Sequence, residues 1–167
     1  DSEEALDHFY LNESAYTIFN KDKIHRPRNP EIYKAPYVLF KKGLDCADYS
    51  IRAVYTESDF LYRETINCIK GSEKDKKTLL NLCGLLNSSL FSYFNLMLGS
   101  STGIEREQIF LEELGNYPYV YNDELVELVE KMQREEWGKN RNELQVALNQ
   151  CVMRMYGLQD NYFVDYA

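Results

Sequence analysis

Few side chains in this sequence stand at a spacing that performs covalent chemistry. The nearest approach to an amine-holding Asn/Asp-Pro-Pro-aromatic loop is Asn116-Tyr117-Pro118-Tyr119. It has one proline where two are needed and follows no suitable strand, so it reads as a turn. Asp75-Lys76-Lys77 is an Asp-x-Lys without the Glu-x-Lys that places carboxylates and a lysine around Mg²⁺ in a nuclease. At a helix start it reads as a solvated face. No Gly-x-Ser-x-Gly and no phosphate-cradling glycine loop occurs. His8 and His25 are the only histidines, which leaves little for general acid–base work. Cys46, Cys68, Cys83 and Cys151 lack Cys-x-x-Cys spacing and read as free thiols of a reducing cytoplasm, with no metal site. No catalytic residue is expected in the chain, and a small enzyme with its own site is the weakest reading.

Binding chemistry is better represented than reactive chemistry. The net charge is −8, which argues against a simple DNA-binding module, but the charge is unevenly spread. Residues 1–17 hold five acids and no Lys or Arg; residues 18–70 hold ten Lys and Arg against seven acids; residues 71–167 hold nine against fifteen. A basic face within 18–70 can still meet phosphate, because salt screens charges more than about 8–10 Å away. The competing reading of Lys21, Lys23, Arg26 and Arg28 is a solvated loop.

The elements that position these residues follow from periodicity. The 167 residues, 44% apolar, make one domain of ordinary size with a real core. The 14 tyrosines serve as strand and core filler that keeps a hydroxyl for a polar partner. Residues 1–17 carry a weakly helical pattern, and 18–35 read as loop. Strand-like runs cover 35–40, 49–55 and 60–69. Gly71 to Asp75 is a turn and helix start, and 75–98 is the strongest helix, apolar nearly all round and so central. Polar residues at Asn81, Asn87, Ser88, Ser89 and Asn95 keep it from being a membrane span, which needs roughly 18–20 apolar residues. Tyr119-Val120-Tyr121 reads as a short strand. Helices are expected over 123–136 and 141–156, the first capped near Asn122 and the second closed by Gly157. The predicted fold class is α+β: a twisted, mostly antiparallel sheet around one long buried helix, with a C-terminal helical tail. Residues 1–138 form the main domain and 139–167 the tail packed on it. The start, Asp1-Ser2-Glu3-Glu4, has no basic region and no initiator Met; it is not a signal peptide and reads as a piece of a longer chain.

Three stretches in order carry a family resemblance. The first is Pro36-Tyr37-Val38-Leu39-Phe40-Lys41-Lys42-Gly43 with Ile51-Arg52-Ala53-Val54-Tyr55. The second is Lys76 to Phe94, centred on Leu85-Leu86-Asn87-Ser88-Ser89-Leu90, and the third is Leu114-Gly115-Asn116-Tyr117-Pro118-Tyr119. Over roughly residues 30–160 this order resembles the TaqI-like C-terminal specificity domain of adenine-N6 DNA methyltransferases. It is similar, more distantly, to target-recognition domains of type I specificity subunits. The ending Val152 to Leu158 is similar to that of single-chain type IIG restriction enzymes.

The resemblance implies a bacterial, cytoplasmic restriction–modification protein. A separate methyltransferase domain, in cis or in trans, would bind S-adenosylmethionine and flip the adenine. This part would read base edges of double-stranded DNA in the major groove and hold no cofactor itself. On that basis the expected base contacts are Arg26, Arg28, Asn29, Arg52, Arg63, Ser100, Ser101, Thr102 and Arg106. Lys21, Lys23, Lys34, Lys41 and Lys42 are the expected phosphate contacts. For Arg52 and Arg63 the competing reading is an ion pair with Asp59 or Glu57. The rival for the whole chain is an acidic protein–protein interaction module, which would show scattered basic residues and an exposed apolar stripe on a C-terminal helix.

Overall fold

A small hairpin opens the fold. Strands β1 (Leu6–Asp7) and β2 (Tyr10–Leu11) pair antiparallel, Leu6 opposite Leu11, across His8-Phe9. The computed structural model describes residues 6–11, 20, 28–44, 48–100, 108–134 and 140–158. The described part of the N-terminal stretch is therefore strand where its apolar spacing suggested helix. Phe9 adopts φ 58°, rare for a residue with a side chain. Its N–H donates to the Ala53 carbonyl (2.9 Å) and its ring is buried, so tertiary contacts override the local pattern.

The run after Pro36 becomes the centre of a three-stranded antiparallel sheet. Strand β3 (Tyr37–Lys41) lies between β4 (Ala53–Thr56) and β5 (Ile66–Lys70). Its register sets Leu39 opposite Val54 on one side and Cys68 on the other. Tyr37, Val38, Leu39 and Phe40 have no accessible surface, which explains why the run is continuously apolar rather than alternating. Val38 and Phe40 join Ala53 and Tyr55 in the main core under the helices. Tyr37 and Leu39 join Val54, Ile66, Leu6, Tyr33 and Tyr62 in a second core on the opposite face.

Two strands are shorter than their sequence patterns. Residues 49–52 leave the sheet because Tyr49 takes φ 56° and the Ile51 N–H donates to the Ser92 hydroxyl (3.3 Å). Residues 60–65 leave it because the Phe60 N–H donates to the buried Tyr37 hydroxyl (2.7 Å), folding the segment over the second core. Arg63 consequently lies in a turn rather than a strand.

Among the described residues five α-helices follow: α1 (Lys76–Leu86), α2 (Ser89–Leu98), the single turn α3 (Leu111–Leu114), α4 (Asp123–Arg134) and α5 (Arg141–Met155). Ser72 and Asp75 close the turn ahead of α1, the Asp75 carboxylate accepting from the Ser72 N–H (2.8 Å) and hydroxyl (2.6 Å). α1 packs on β3 and β4, α4 on α1, and α5 on both α4 and α2. Gly84 permits the α1–α4 approach: a Cβ there would stand 2.8 Å from both Leu125 Cδ1 and Val129 Cγ2. Gly157, at φ +68°, ends α5, and the Leu158 N–H closes back on the Met153 carbonyl (2.9 Å). The class is α+β with antiparallel sheets, as the element pattern implied.

The central helix differs from expectation in one respect. It is two helices, broken at Asn87-Ser88, because Ser88 turns extended (ψ 149°) and its hydroxyl caps α2 by accepting from the Phe91 N–H (3.3 Å). Residues 119–121 are also irregular rather than a strand. The Val120 carbonyl and Asn122 N–H pair with the side chain of Asn81 instead of a neighbouring strand.

Candidate nucleic-acid interface

The asparagines that interrupt the apolar run are clamps on the backbone. Asn87, buried at the helix break, accepts from the Ala53 N–H (3.1 Å) and donates to the Ala53 carbonyl (2.8 Å), pairing with β4 much as a strand residue does. Its amide also donates to the Cys83 carbonyl (2.8 Å). The same Oδ1 lies 2.8 Å from His8 Nδ1, so in neutral His8 that nitrogen is the donor, and Nε2 faces the Ser50 hydroxyl at 3.3 Å. Burial, the largest influence, lowers the His8 pKa below the usual range and favours this neutral form; the Asn87 hydrogen bond pulls the other way. The Gln145 amide of α5 reaches the Asn87 carbonyl (3.0 Å). One side chain thus joins hairpin, sheet and α1.

The Asn116 to Tyr119 segment is held by rings. Tyr117 packs edge-on against Phe91 (6.1 Å) and lies near Phe94 (6.0 Å), while the Tyr156 hydroxyl at the end of α5 donates to the Pro118 carbonyl. Anchored by the buried Tyr117 ring, with Asn116, Pro118 and Tyr119 exposed, the segment is a structural turn. The three described thiols are equally inert: burial pushes Cys83 up to about 12 and raises Cys68 and Cys151. Cys68, Cys83 and Cys151 are unpaired with one another. Among the described residues no group of His, Cys, Asp and Glu could hold a metal ion, and no helix is long and apolar enough to cross a membrane.

A cationic groove lies along β5, an edge strand of the sheet. The cavity, about 310 Å³, has an apolar floor of Ile32, Tyr62, Ile66 and Leu111, with Arg28, Lys42 and Lys70 around it and Glu64 as its acid. Its frame is firm. The Lys42 N–H donates to the Thr65 carbonyl (2.8 Å) and its carbonyl accepts from the Ile109 N–H (2.7 Å). Tyr62 donates to the Ile32 carbonyl (3.0 Å), and the Lys70 ammonium donates to the Glu31 carbonyl. Asn67 is occupied: its amide donates to the Ile109 carbonyl (3.0 Å).

The profile of the TaqI-like C-terminal specificity domain family matches residues 6–119. The chain belongs to this family. The match takes in the hairpin, the sheet, α1 to α3, the Asn87 clamp and the whole β5 groove; α4 and α5 lie beyond it. No curated protein sequence matches the chain.

In this specificity domain the sequence-derived candidates divide by location. Lys21, Lys23, Arg26, Ser101, Thr102 and Arg106 lie outside the described residues. Arg28 and Lys42 are brought together in the groove. Asn29 caps the short helical turn 30–33, its side chain accepting from the Glu31 N–H (3.1 Å), and Lys34 pairs with Glu31 (2.9 Å) on the exposed side of that turn. Arg52 bonds Asp7 (3.3 Å), which Arg141 approaches at 3.9 Å; the three tie hairpin, sheet and α5 together. The competing ion-pair reading of Arg52 thus has the right kind of contact and the wrong partner. Lys41 ends β3 on the second-core face beside Arg52, Arg63 is exposed in its turn, and the Ser100 N–H donates to Glu113 (3.2 Å). Lys70 was not singled out by sequence. The available signal was its place two residues beyond Cys68 and four beyond Ile66, on one face of a strand.

Proposed function

We propose that this specificity domain reads duplex DNA for a restriction–modification adenine-N6 methyltransferase, with the chemistry on a separate domain in cis or in trans. Membership of the family, over a match that includes the entire sheet and its basic groove, is the observation that carries the reading. In this reading S-adenosylmethionine is assigned to that other domain. The acidic balance is compatible with DNA because the groove has a local charge of its own, three cations against Glu64. At the β4 edge the acids Glu57 and Glu130 are paired with Lys76 (2.7 Å) and Arg134 (2.9 Å). Charges more than about 8–10 Å away are screened by salt. The rival interaction-module reading calls for an apolar stripe on the C-terminal helix; among the described residues of α5 only Val146 is a large exposed apolar side chain. The test is selection from a random duplex library by the full polypeptide together with its methyltransferase domain. Enrichment of one short sequence, lost when this domain is exchanged for that of another family member, is expected. Unchanged selectivity after the exchange would refute the reading.

A further inference from the structure

We propose that the β5 groove seats phosphates of the DNA backbone, with Arg28, Lys42 and Lys70 as sequence-independent anchors. The proposal rests on the DNA-reading function above and narrows it to one surface and one chemical class. Base-edge readout needs side chains with free donor and acceptor patterns, chiefly amides and bidentate guanidinium groups. The groove's one amide, Asn67, is buried and already committed to the Ile109 carbonyl. What remains is three cations against a single acid, Glu64, above an apolar floor. Two of the cations are ammonium groups, point charges suited to phosphate rather than to a base pattern. The floor lowers the local dielectric and strengthens their attraction for an anion.

The geometry suits a polyanion rather than an isolated ion. Lys42 is bonded to Thr65 just before β5, and Lys70 is the last residue of that strand, so they stand at its two ends. At about 3.3 Å per residue the five steps from Thr65 to Lys70 hold their backbones roughly 16–17 Å apart. A duplex strand carries one phosphate per 3.4 Å of helix axis, roughly, so this length spans more than one. Arg28 lines the same groove, and the 30–33 turn that follows it meets the Lys70 end, where Lys70 bonds the Glu31 carbonyl and Tyr62 the Ile32 carbonyl. Backbone hydrogen bonds hold both ends of the row, and a rigid row of cations fixes register on the duplex without selecting sequence.

The experiment measures duplex affinity of the full polypeptide against salt, for its selected sequence and for a scrambled one. Variants are Lys42→Met, Lys70→Met and Arg28→Met, which keep the aliphatic stems, with Lys77→Met as control; Lys77 pairs with Asp123 outside the groove. Each groove variant is expected to lower the slope of log K against log salt by about one and to weaken both duplexes by the same factor, while the control changes neither. Groove variants with wild-type slopes, in a protein that binds duplex normally, would overturn the phosphate seat and leave the DNA-reading function standing. A change in the ratio between the two duplexes, rather than in both alike, would also overturn it, showing base contact. A wild-type protein that binds neither duplex would overturn the function reading and this proposal with it. Unchanged thermal midpoints for the variants separate a binding effect from a folding defect.

Discussion

Asn87 concentrates more of the architecture than any other described side chain discussed above. Replacing it with Ala leaves the Ala53 N–H and its His8 partner without their acceptor inside the protein. Each buried polar group left unmatched costs about 1–3 kcal/mol, so Asn87→Ala is expected to lose about 2–4 kcal/mol in urea denaturation. A loss under about 1 kcal/mol would mean that water replaces the amide. His8 adds a pH dependence of definite sign. Its folded pKa lies below the usual 6.5, so as pH falls the unfolded chain takes up the proton first. This contribution to stability is complete above that value and declines beneath it until the folded pKa is passed. Between pH 7.5 and 5.5, about one unit either side of the usual value, wild type is expected to lose more stability than His8→Gln. Parallel curves for the two proteins would remove His8 from the account.

Packing between elements depends on two glycines for different reasons. Gly84 lets α1 and α4 touch where Leu125 and Val129 are wholly buried and have no room to withdraw. Gly84→Ala is therefore expected to destabilise by about 1–3 kcal/mol despite the better helix propensity of Ala. A stabilised variant would show that the helices slide apart freely. Gly157 has open space around its Cα, and only its positive φ matters. Gly157→Ala should cost less, about 1 kcal/mol, and Gly157→Asn less still, since Asn tolerates that region. Thermal melts of the pair would show this order, and an Asn variant worse than Ala would contradict the conformational explanation. The break between α1 and α2 is likewise useful. It frees the backbone at Asn87-Ser88 for the cap on α2 and the Gln145 contact from α5.

Across the molecule, the C-terminal helix and the sheet share one hydrophobic core. Leu148, Cys151, Val152 and Met153 of α5 belong to the same buried cluster as Val38 and Phe40 of β3. At roughly 1.5–3 kcal/mol for each fully buried aliphatic side chain, loss of this helix approaches the usual net stability of about 5–15 kcal/mol. A chain ending at Asn140 is thus expected to show no cooperative unfolding and to bind a hydrophobic dye. A sharp melt from that truncation would mean that the rest folds without α5. A local excess of cations is the other property at this scale. An acidic chain carries a basic groove because Arg28, Lys42 and Lys70 meet beside β5 with Glu64 as the acid there.

Composition and periodicity were enough for the class, the antiparallel strands, and the caps of α4 and α5. These depend on local preferences: apolar spacing, Asn at a helix start, and Gly where φ must be positive. The ordered motifs around Tyr37, Asn87 and Tyr117 were also legible as a family pattern. The trimmed strands, the helix break and the groove were not, because each depends on residues distant in sequence. Ser92 takes the Ile51 N–H, Tyr37 takes the Phe60 N–H, and Asn81 replaces a strand for residues 120–122. Arg28, Lys42 and Lys70 are scattered over more than 40 residues and meet only because β5 pairs with β3 while the 28–33 segment folds beside it. Arg52 has the same residue type, yet the hairpin delivers Asp7 to it. Residue types and local spacing limit what each side chain can bind; which partner reaches it first depends on long-range pairing.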